Sequence, residues 1–571
     1  MNFRTALLGT TAAATAVIGL VPAALAQRAT DGNVNILYFQ AVSVMNPYMS
    51  SGTKDVHGAS LVIEPLAGFN EKGDLIPRLV TEIPSIENGG ISKDLTTITW
   101  KLTPGLLWSD GTPVTAADAV FTYEYCTNAD MGCSQAARFT GIKTVEAPDP
   151  QTIKITFTAP KPNPFNAFVG AASPVLQKAQ FAGCLGAAAQ TCTEQNTRPI
   201  GTGPFTVTDF KVNDVVQLAA NPKYRDPAKP AFATVTLKGG GDARASARAV
   251  METGEFDYAW NTQINPEFQA QMAAGGKGEL ISAFSNNVER IELNLTDPSP
   301  DLPEGERSTI KNPHPILSDV RVRKALSMAI DRKLLVEVGY GAAGRPTCNV
   351  IPAPAIYASP NTDCLVQDVE GAKALLDQAG WTDSNGDGIR DKDGKKLSLL
   401  FQTSVNAVRQ DFQALVKGWW SQIGVEAELK AIEPSVFFGG DPGTPDTYQR
   451  FYAEAQLDTL DYDGTDPESY LAQYVCGNIP GPGNGWRGTN INRLCDPRYE
   501  ELLGQLSKTS DINERAKIVI SMNDLLTKDG YVSIPLVDRA RLSAKAKTLG
   551  GVVLNAWDSE LWNVSDWYRI K

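Results

Sequence analysis

The chain has 571 residues, of which 42% are hydrophobic and 20% are charged, and its formal net charge is −12. A chain of this length exceeds what one hydrophobic core usually holds, so we expect two or three domains. Its acidity argues against nucleic acid as a partner, because binding to phosphates depends on an excess of Lys and Arg.

The first 26 residues have the layout of a secretory signal peptide. Arg4 precedes an apolar stretch from about residue 6 to residue 25, and Ala24-Leu25-Ala26 supplies the small residues of a cleavage site. An uncleaved anchor helix is the alternative. After cleavage the chain would begin at Gln27, and no later segment has the ~20 apolar residues that a spanning helix requires. We therefore predict a soluble protein exported to the periplasm of a Gram-negative bacterium.

The first half of the chain after the signal mainly predicts strands and turns. Residues 68–74 have the composition of a hairpin turn, and Thr115 with Asp118 matches a capping box at the start of a helix. Alternating or continuous apolar runs predict strands at residues 34–39, 96–102, 152–157, 201–218 and 234–238.

The second half changes to longer helices followed by short strands, which predicts an α/β arrangement. Apolar residues recur there every three or four positions, and Gly380 and Gly424 have the positions of helix C-caps. Helices are predicted at residues 319–338, 368–379, 408–423 and 511–528, and strands at 397–402 and 425–429.

The eight cysteines fall into four local pairs, each in a segment broken by Gly, Pro or Asn. An even number in an exported chain favours disulfides over metal sites, and sequential pairing is preferred because each short loop can close. Each bridge would add about 2–4 kcal/mol of stability through the unfolded state. Free buried thiols are the alternative. The predicted bridges are Cys126–Cys133, Cys184–Cys192, Cys348–Cys364 and Cys476–Cys495.

Five sequence blocks follow one another in a specific order. They are WSDGTPVTAAD at 108–118, PIGTGPF at 199–205, GEFD at 254–257, DVRVRKAL at 319–326 and DGTDP at 463–467. Together they resemble the family-5 extracellular solute-binding proteins, which serve ABC transporters for dipeptides, oligopeptides, opines and related solutes. The resemblance covers essentially the whole chain after the signal.

The resemblance implies an α/β fold of the two-lobe periplasmic binding protein type (type II, cluster C-like). Such a fold has a hinged cleft between the lobes and an extra subdomain in lobe I. The crossings near Asn294-Leu295 and Pro535-Leu536 would form the hinge about which the lobes close. The implied segments are 1–26 for the signal, 27–296 for lobe I with a subdomain at about 60–195, 297–538 for lobe II, and 539–571 for the return to lobe I.

The resemblance also implies what the protein does. We expect a monomer that captures a peptide or amine-bearing solute by lobe closure and delivers it to the permease subunits of an ABC importer in the inner membrane. No enzymatic activity, cofactor or nucleic-acid partner is expected. An opine, an oligosaccharide or a zwitterionic osmolyte is the alternative ligand.

Asp463 is the ligand-binding residue that the resemblance indicates most directly. Dipeptide- and oligopeptide-binding members place an aspartate four residues before the proline, here Pro467, where it pairs with the α-ammonium of the ligand. Dipeptide-binding members also carry an arginine for the ligand carboxylate. Thr403 has that position in this chain. Arg409 is the nearest candidate for the role, and a surface cation at the start of a helix is the alternative for it. A free C-terminal carboxylate on the ligand is therefore less well supported than an amine.

Aromatic side chains are further candidates for ligand contact, since rings can stack on a solute or over a cation. Packing within a lobe is the alternative for each. Helical spacing requires one of Trp419 and Trp420 to be core, and Trp419 fits the apolar stripe better. The candidates are Trp486 (within the loop of the last predicted disulfide), Trp260, Tyr38, Phe39 and Trp420.

A segment near residue 385 resembles the first half of a calcium-binding loop, D-x-N-x-DG. The glutamate expected at the twelfth position is absent, and Gly394 is there instead. A plain helix-to-strand turn is the alternative. The oxygens that would hold a structural calcium belong to Asp383, Asn385, Asp387, Ile389 and Asp391.

A secreted hydrolase is the distant alternative. The two histidines, His57 and His314, are far apart in sequence, and neither G-x-S-x-G nor H-E-x-x-H occurs. A pair of catalytic carboxylates, which an acidic chain always offers, is the remaining route to hydrolysis.

Overall fold

The computed structural model describes residues 28–439, 444–462 and 464–571. The predicted signal peptide, residues 1–26, and the candidate ligand residue Asp463 lie outside the described residues. Within the described ranges, no helix has both the length and the apolar composition needed to cross a membrane.

A seven-stranded sheet organises lobe I. Its central strand, Asn33–Tyr38, runs parallel to both neighbours and has Val34, Ile36 and Tyr38 fully buried. A strand from the C-terminal part of the chain is inserted antiparallel, as the predicted return to lobe I requires. The spatial order is Gly278–Ala283, Arg541–Ala546, Tyr258–Trp260, Asn33–Tyr38, Thr234–Gly239, Val215–Ala220 and Phe205–Lys211.

A smaller antiparallel sheet forms the subdomain of lobe I. Its middle strand, Thr152–Phe157, pairs with Thr97–Lys101 on one side and Ile142–Asp149 on the other. The helix Ala116–Thr127 packs on it, and the backbone N–H of Thr115 donates to Asp118 Oδ2 at 2.9 Å, as expected of the capping box. The hairpin at 68–74 pairs Ala67–Phe69 with Leu75–Pro77.

A six-stranded mixed sheet organises lobe II. The order is Gly344–Pro346, Ser533–Arg539, Val288–Leu293, Ala455–Leu460, Ser398–Ser404 and Glu426–Ile432. The last two strands are parallel because the helix Ala407–Gln422 connects them, as the alternation of helix and strand in the sequence predicts.

Short two-stranded ribbons and the helices complete both lobes. The ribbons are Asp391–Lys392 with Lys395–Lys396, and Leu549–Gly550 with Tyr568–Arg569. Lobe I has the α-helices Thr53–Ala59, Ala116–Thr127, Lys178–Phe181, Thr193–Thr197, Ala243–Arg248 and Pro266–Ala273. Lobe II has Val320–Met328, Arg332–Gly339, Val369–Gln378, Ala407–Gln422, Pro434–Phe437, Glu468–Leu471, Pro497–Leu506 and Ile512–Asp524.

The predicted helix at 319–338 is in fact two helices, Val320–Met328 and Arg332–Gly339. Asp331 ends the continuity, because its carboxylate accepts hydrogen bonds from the backbone N–H groups of Lys333 and Leu334, as an N-cap does. The regular apolar spacing continues across the break and hides it from a periodicity argument.

The two crossings between the lobes lie elsewhere than predicted. The strand Val288–Leu293 already belongs to the second sheet, so the first crossing is at residues 284–287 and not near Asn294-Leu295. The second crossing is at Ala540, between the strands Ser533–Arg539 and Arg541–Ala546, and not near Pro535-Leu536. Both predicted hinges fall inside or just beyond fully buried strands, whose interstrand hydrogen bonds prevent bending there.

Buried residues form separate cores on the two sides of the crossings. One continuous core joins the first sheet to the subdomain, and a second fills the space between the second sheet and its helices. All four predicted cysteine pairs are joined as disulfides, with Cα–Cα distances of 5.1, 5.9, 5.7 and 4.7 Å in chain order.

Candidate functional site

A gap between the lobes, next to the two crossings, is the candidate site. It holds about 580 Å³ of empty space, counting the open solvent at its mouth. Lobe I contributes Lys54, His57, Trp260, Asn261, Arg541 and Glu560, and lobe II and the crossings contribute Arg409, Phe438, Thr459, Asp461 and Arg539. The gap is therefore lined by charged side chains from both halves of the molecule, with few apolar ones.

One carboxylate behind the gap is shared by two guanidinium groups. Glu289 Oε2 accepts from Arg409 Nε at 3.0 Å, and Oε1 accepts from Arg539 Nε at 3.1 Å and from the Tyr340 hydroxyl at 2.8 Å. Although Glu289 is fully buried, which opposes ionisation, the two arginines lower its pKa to about 2. Two cations and one anion leave this cluster with one positive charge in excess.

A second ion pair joins the lobes directly across the gap. Arg541 Nη2 of lobe I donates to Asp461 Oδ2 of lobe II at 2.6 Å. The Arg541 side chain is 5% exposed and that of Asp461 21% exposed, so water screens the pair only partly. The side-chain amide of Asn406, in lobe II, also donates to Gln263 of lobe I.

Glu560 is the one lining acid of the described residues that has no cation within ion-pair distance. The Ser543 hydroxyl donates to its carboxylate at 3.2 Å. Burial raises the pKa of Glu560 to about 7, and the nearby Arg541 offsets only part of that effect. Its carboxyl group can therefore ionise and pair with a positively charged group of a ligand, or remain protonated when no such group is present.

A stack of rings forms the wall of the gap on the side of lobe I. Tyr38 and Trp260 are stacked with centroids 4.6 Å apart, and Trp260 Nε1 donates to His57 Nδ1 at 2.9 Å. Burial lowers the pKa of His57, so it accepts this bond as a neutral ring. Of the three aromatics predicted here, Trp260 lines the gap, Tyr38 supports it from behind, and Phe39 borders an adjoining groove.

Trp420 is a correction to the predicted ligand contacts. It is fully buried in the second core beside Phe401, and its Nε1 donates to the Leu326 carbonyl at 3.0 Å. The gap is lined by other residues, because the helix Ala407–Gln422 turns both Trp419 and Trp420 towards the core. The expectation that Trp419 is core is confirmed, and Trp420, predicted as a ligand contact, is core as well.

Two further predicted residues have defined places. Arg409 lines the gap, but its guanidinium is buried and bound to Glu289, Ser404 and Thr459, so it is not a surface cation at a helix start. Trp486 lies apart from the gap, where lobe II meets the subdomain, with its ring edge-on to Tyr452 at 5.8 Å.

In the predicted calcium loop, the side-chain oxygens accept hydrogen bonds from other groups of the same loop. Asp383 accepts from the N–H groups of Gly386 and Gly388, Asn385 accepts from that of Asp387, and Asp391 accepts from Ser384. Within the described ranges, no group of three or more His, Cys, Asp or Glu side chains is arranged to hold a metal ion. Calcium binding stays a prediction.

Sequence reasoning missed six charged residues in or behind the gap, namely Lys54, Glu289, Asp461, Arg539, Arg541 and Glu560. Glu289, Arg539 and Arg541 lie in strands that look like ordinary buried segments, and Asp461 directly follows a strand. Lys54 lies in a helix, and Glu560 lies in a segment between strands. The available signal for the strand residues was a charged residue inside an otherwise apolar run. Such a residue indicates a buried ion pair, because burying a charge without a partner is costly.

Two lobes, two crossings and a charged gap between them are the architecture of a solute-binding protein. The family model for bacterial extracellular solute-binding proteins, family 5, matches residues 74–480. The chain belongs to this family, whose members bind solutes and do not catalyse reactions.

Similar proteins agree with this assignment. The glutathione-binding protein GsiB of Shigella boydii is 23% identical over 515 residues, covering 89% of each chain. The solved structure of the oligopeptide-binding protein AppA of Bacillus subtilis with a nonapeptide has a TM-score of 0.80 at 22% identity, covering 95% of this chain and 100% of that one. NikZ of Campylobacter jejuni with Ni(L-His) has a TM-score of 0.76 at 23% identity, covering 94% and 100%.

Proposed function

We propose that this protein captures a peptide or another amine-bearing small solute in the gap between its lobes and delivers it to an ABC permease in the inner membrane. The charged lining contributed by both lobes is the observation that carries the proposal. A solute that contacts both lobes binds the closed form more tightly than the open form. It stabilises the closed form by the difference between its binding free energies for the two forms.

Acidic side chains near the gap support an amine on the ligand. Among the described residues that line the gap, Glu560 is the acid without a cation within ion-pair distance, whereas Asp461 is already paired with Arg541. Asp463, the residue indicated by the family resemblance, would add a third carboxylate. Its neighbour Gly464 donates its backbone N–H to the carbonyl of Trp557 of lobe I at 2.6 Å, so this segment of lobe II meets lobe I directly. We propose Asp463 as the partner of the ligand ammonium.

The remaining parts of the proposal concern the setting of the protein. The first 26 residues would direct export and be removed, and the mature protein would act in the periplasm as a monomer. Closure of the lobes would create the surface that the permease subunits recognise. An opine, an oligosaccharide or a zwitterionic osmolyte would use the same gap and the same closure.

Binding assays on the purified protein test the proposal. Tryptophan fluorescence, which Trp260 makes sensitive to the gap, is followed during titration with trialanine, octopine, maltotriose and glycine betaine. We expect saturable binding of a ligand with a free amine and recovery of that ligand unchanged. Conversion of the ligand to a product, or binding of maltotriose alone, would contradict the proposal.

A matched pair of variants tests the role of Asp463. Asp463→Asn should weaken an amine-bearing ligand at least about tenfold, because it removes the charge that faces the ammonium. Asp301→Asn removes an exposed carboxylate of the same lobe and should leave the Kd unchanged. Equal affinities of the two variants and the wild type would remove Asp463 from the site.

A further inference from the structure

The guanidinium of Arg539 differs from the other two arginines that line the gap. Both Nη atoms of Arg409 donate to side chains, and both Nη atoms of Arg541 donate to Asp461 or to backbone carbonyls. Arg539 donates from Nε to Glu289 and from Nη1 to Asn261 Oδ1 at 3.3 Å. Its Nη2 has no hydrogen-bond partner in the part of the chain that the structure describes.

Arg539 is held in place although not all of its guanidinium N–H groups donate hydrogen bonds. The residue is 4% exposed, and its backbone N–H donates to the Asn287 carbonyl at the first crossing at 2.9 Å. Asn261, whose Oδ1 accepts from Nη1, has a positive φ of 47°, a conformation that asparagine adopts more readily than most residues. Counting protons, Nη1 and Nη2 together keep three N–H donors for a ligand.

The charge balance behind Arg539 also favours an anion. Glu289 is the shared counter-ion of Arg539 and Arg409, so among the described residues neither guanidinium has a carboxylate of its own within ion-pair distance. Of the other lining groups that the structure describes, Lys54 is paired with Asp55 and Arg541 with Asp461, and Glu560 is the remaining acid. A desolvated cation without a full counter-ion is costly, and closing the lobes over it removes more water.

We infer that Arg539 binds a carboxylate of the solute, so that the ligand is a zwitterion or an acid and not a neutral or purely cationic molecule. A guanidinium fork with open N–H groups matches the two oxygens of a carboxylate. This inference rests on the proposed function, since it names the chemistry of the solute that the gap takes.

Thr403 shows why a different residue is needed for this role. It has the position at which dipeptide-binding members of the family carry an arginine. Here Thr403 is fully buried, and its hydroxyl donates to the Leu457 carbonyl at 2.7 Å. Thr403 therefore offers no charge to a ligand. Arg539, which comes from the second crossing and not from the strand before the helix, supplies the cation instead.

Titration of the wild-type protein with trialanine and with trialanine amide tests the inference without any substitution. The two probes share the ammonium and differ in the carboxylate. We expect the acid to bind at least about tenfold more tightly than the amide, the usual effect of one charge-assisted hydrogen bond. Equal dissociation constants for the acid and the amide would overturn the inference while leaving the proposed function intact.

Substitutions then assign the effect to Arg539. Arg539→Gln should lose about tenfold in affinity for trialanine and nothing for its amide, and Arg539→Lys should retain part of the preference. Arg498→Gln, which replaces an exposed arginine of lobe II at the start of the helix Pro497–Leu506, is the control. Equal losses for acid and amide would show a structural role only. If octopine binds in place of the peptides and Arg539→Gln weakens it, the peptide proposal fails and the carboxylate inference stands.

Discussion

Arg541 and Asp461 form an ion pair that connects the two lobes, with 2.6 Å between Nη2 and Oδ2. The guanidinium is fixed from behind by the carbonyls of Asn555 and Asp558, at 2.8 and 2.5 Å from Nη1. Since the partners belong to different lobes, we expect the pair to form only when the lobes are closed. Its free energy therefore adds to the affinity for any solute that the lobes enclose.

Asp461→Asn should weaken solute binding about tenfold, or about 1.4 kcal/mol. In the closed form of the variant, Arg541 would be buried without its charged partner. In the open form, water would solvate Arg541 in the variant and in the wild type alike. Isothermal titration calorimetry with the best ligand measures the change. Asp446→Asn is the control, because Asp446 pairs with Lys430 at the surface within one lobe. An unchanged Kd for the Asp461 variant would show that the pair does not contribute to closure.

Lys161 forms a further ion pair between the lobes, away from the gap. It forms an ion pair with Glu468, which also accepts from Arg515 Nη2 at 3.1 Å. Lys161→Met should lower solute affinity several-fold by destabilising the closed form, and added salt should weaken the wild type towards the variant. Titrations at low and high salt check this, with Lys143→Met, an exposed lysine of the same subdomain, as control. Salt-independent affinity in the wild type would contradict the expectation.

Gly132 lies where the subdomain meets lobe II. A Cβ atom there would be 1.6 Å from Arg487 Cδ, and the φ of Gly132 is +64°. Gly132→Ala should therefore slow or weaken closure and reduce solute affinity more than stability. Gly141→Ala is a close control, because Gly141 also has a positive φ, +81°, with nothing within 4 Å of its Cβ position. Stopped-flow fluorescence and thermal unfolding of both variants separate the two effects. Equal solute affinities in the two variants would show that the effect comes from the strain of alanine at a positive φ and not from the contact with Arg487.

Glu560 predicts a pH dependence of stability. Its pKa is about 7 in the folded protein and near 4.5 when unfolded, so the folded form holds a proton that the unfolded form releases between these values. This group therefore lowers stability as pH rises from about 4.5 to 7, and its effect levels off above that. Glu560→Gln should stabilise the protein by up to about 3 kcal/mol at pH 8 and by little at pH 4.5. Denaturant unfolding at both pH values measures this. A gain that does not depend on pH would contradict the assignment.

Much of the fold follows from local patterns in the sequence. The strands at 34–39 and 152–157 and the helix at 408–423 were predicted within one or two residues, because each has a regular apolar period and a clear end. The cysteine pairs followed from short loops between turn-forming residues. These features depend on neighbours in the chain.

The site depends on residues far apart in the chain, which explains why less of it was predicted. Glu289 meets Arg409 and Arg539 across separations of 120 and 250 residues, and no periodicity links them. Trp420 looked like a ligand contact because its helical position alone did not show that the core accommodates two adjacent indoles. The hinge was misplaced because buried strands conceal the point at which the chain changes sheets.

Small-angle X-ray scattering of the protein with and without a saturating ligand is the most direct test of solute capture by lobe closure. We expect the radius of gyration to fall on binding, and the scattering of the bound protein to match that calculated from the closed arrangement in which Arg541 contacts Asp461. A radius of gyration that stays the same at saturation, with the ligand bound, would contradict closure as the means of capture.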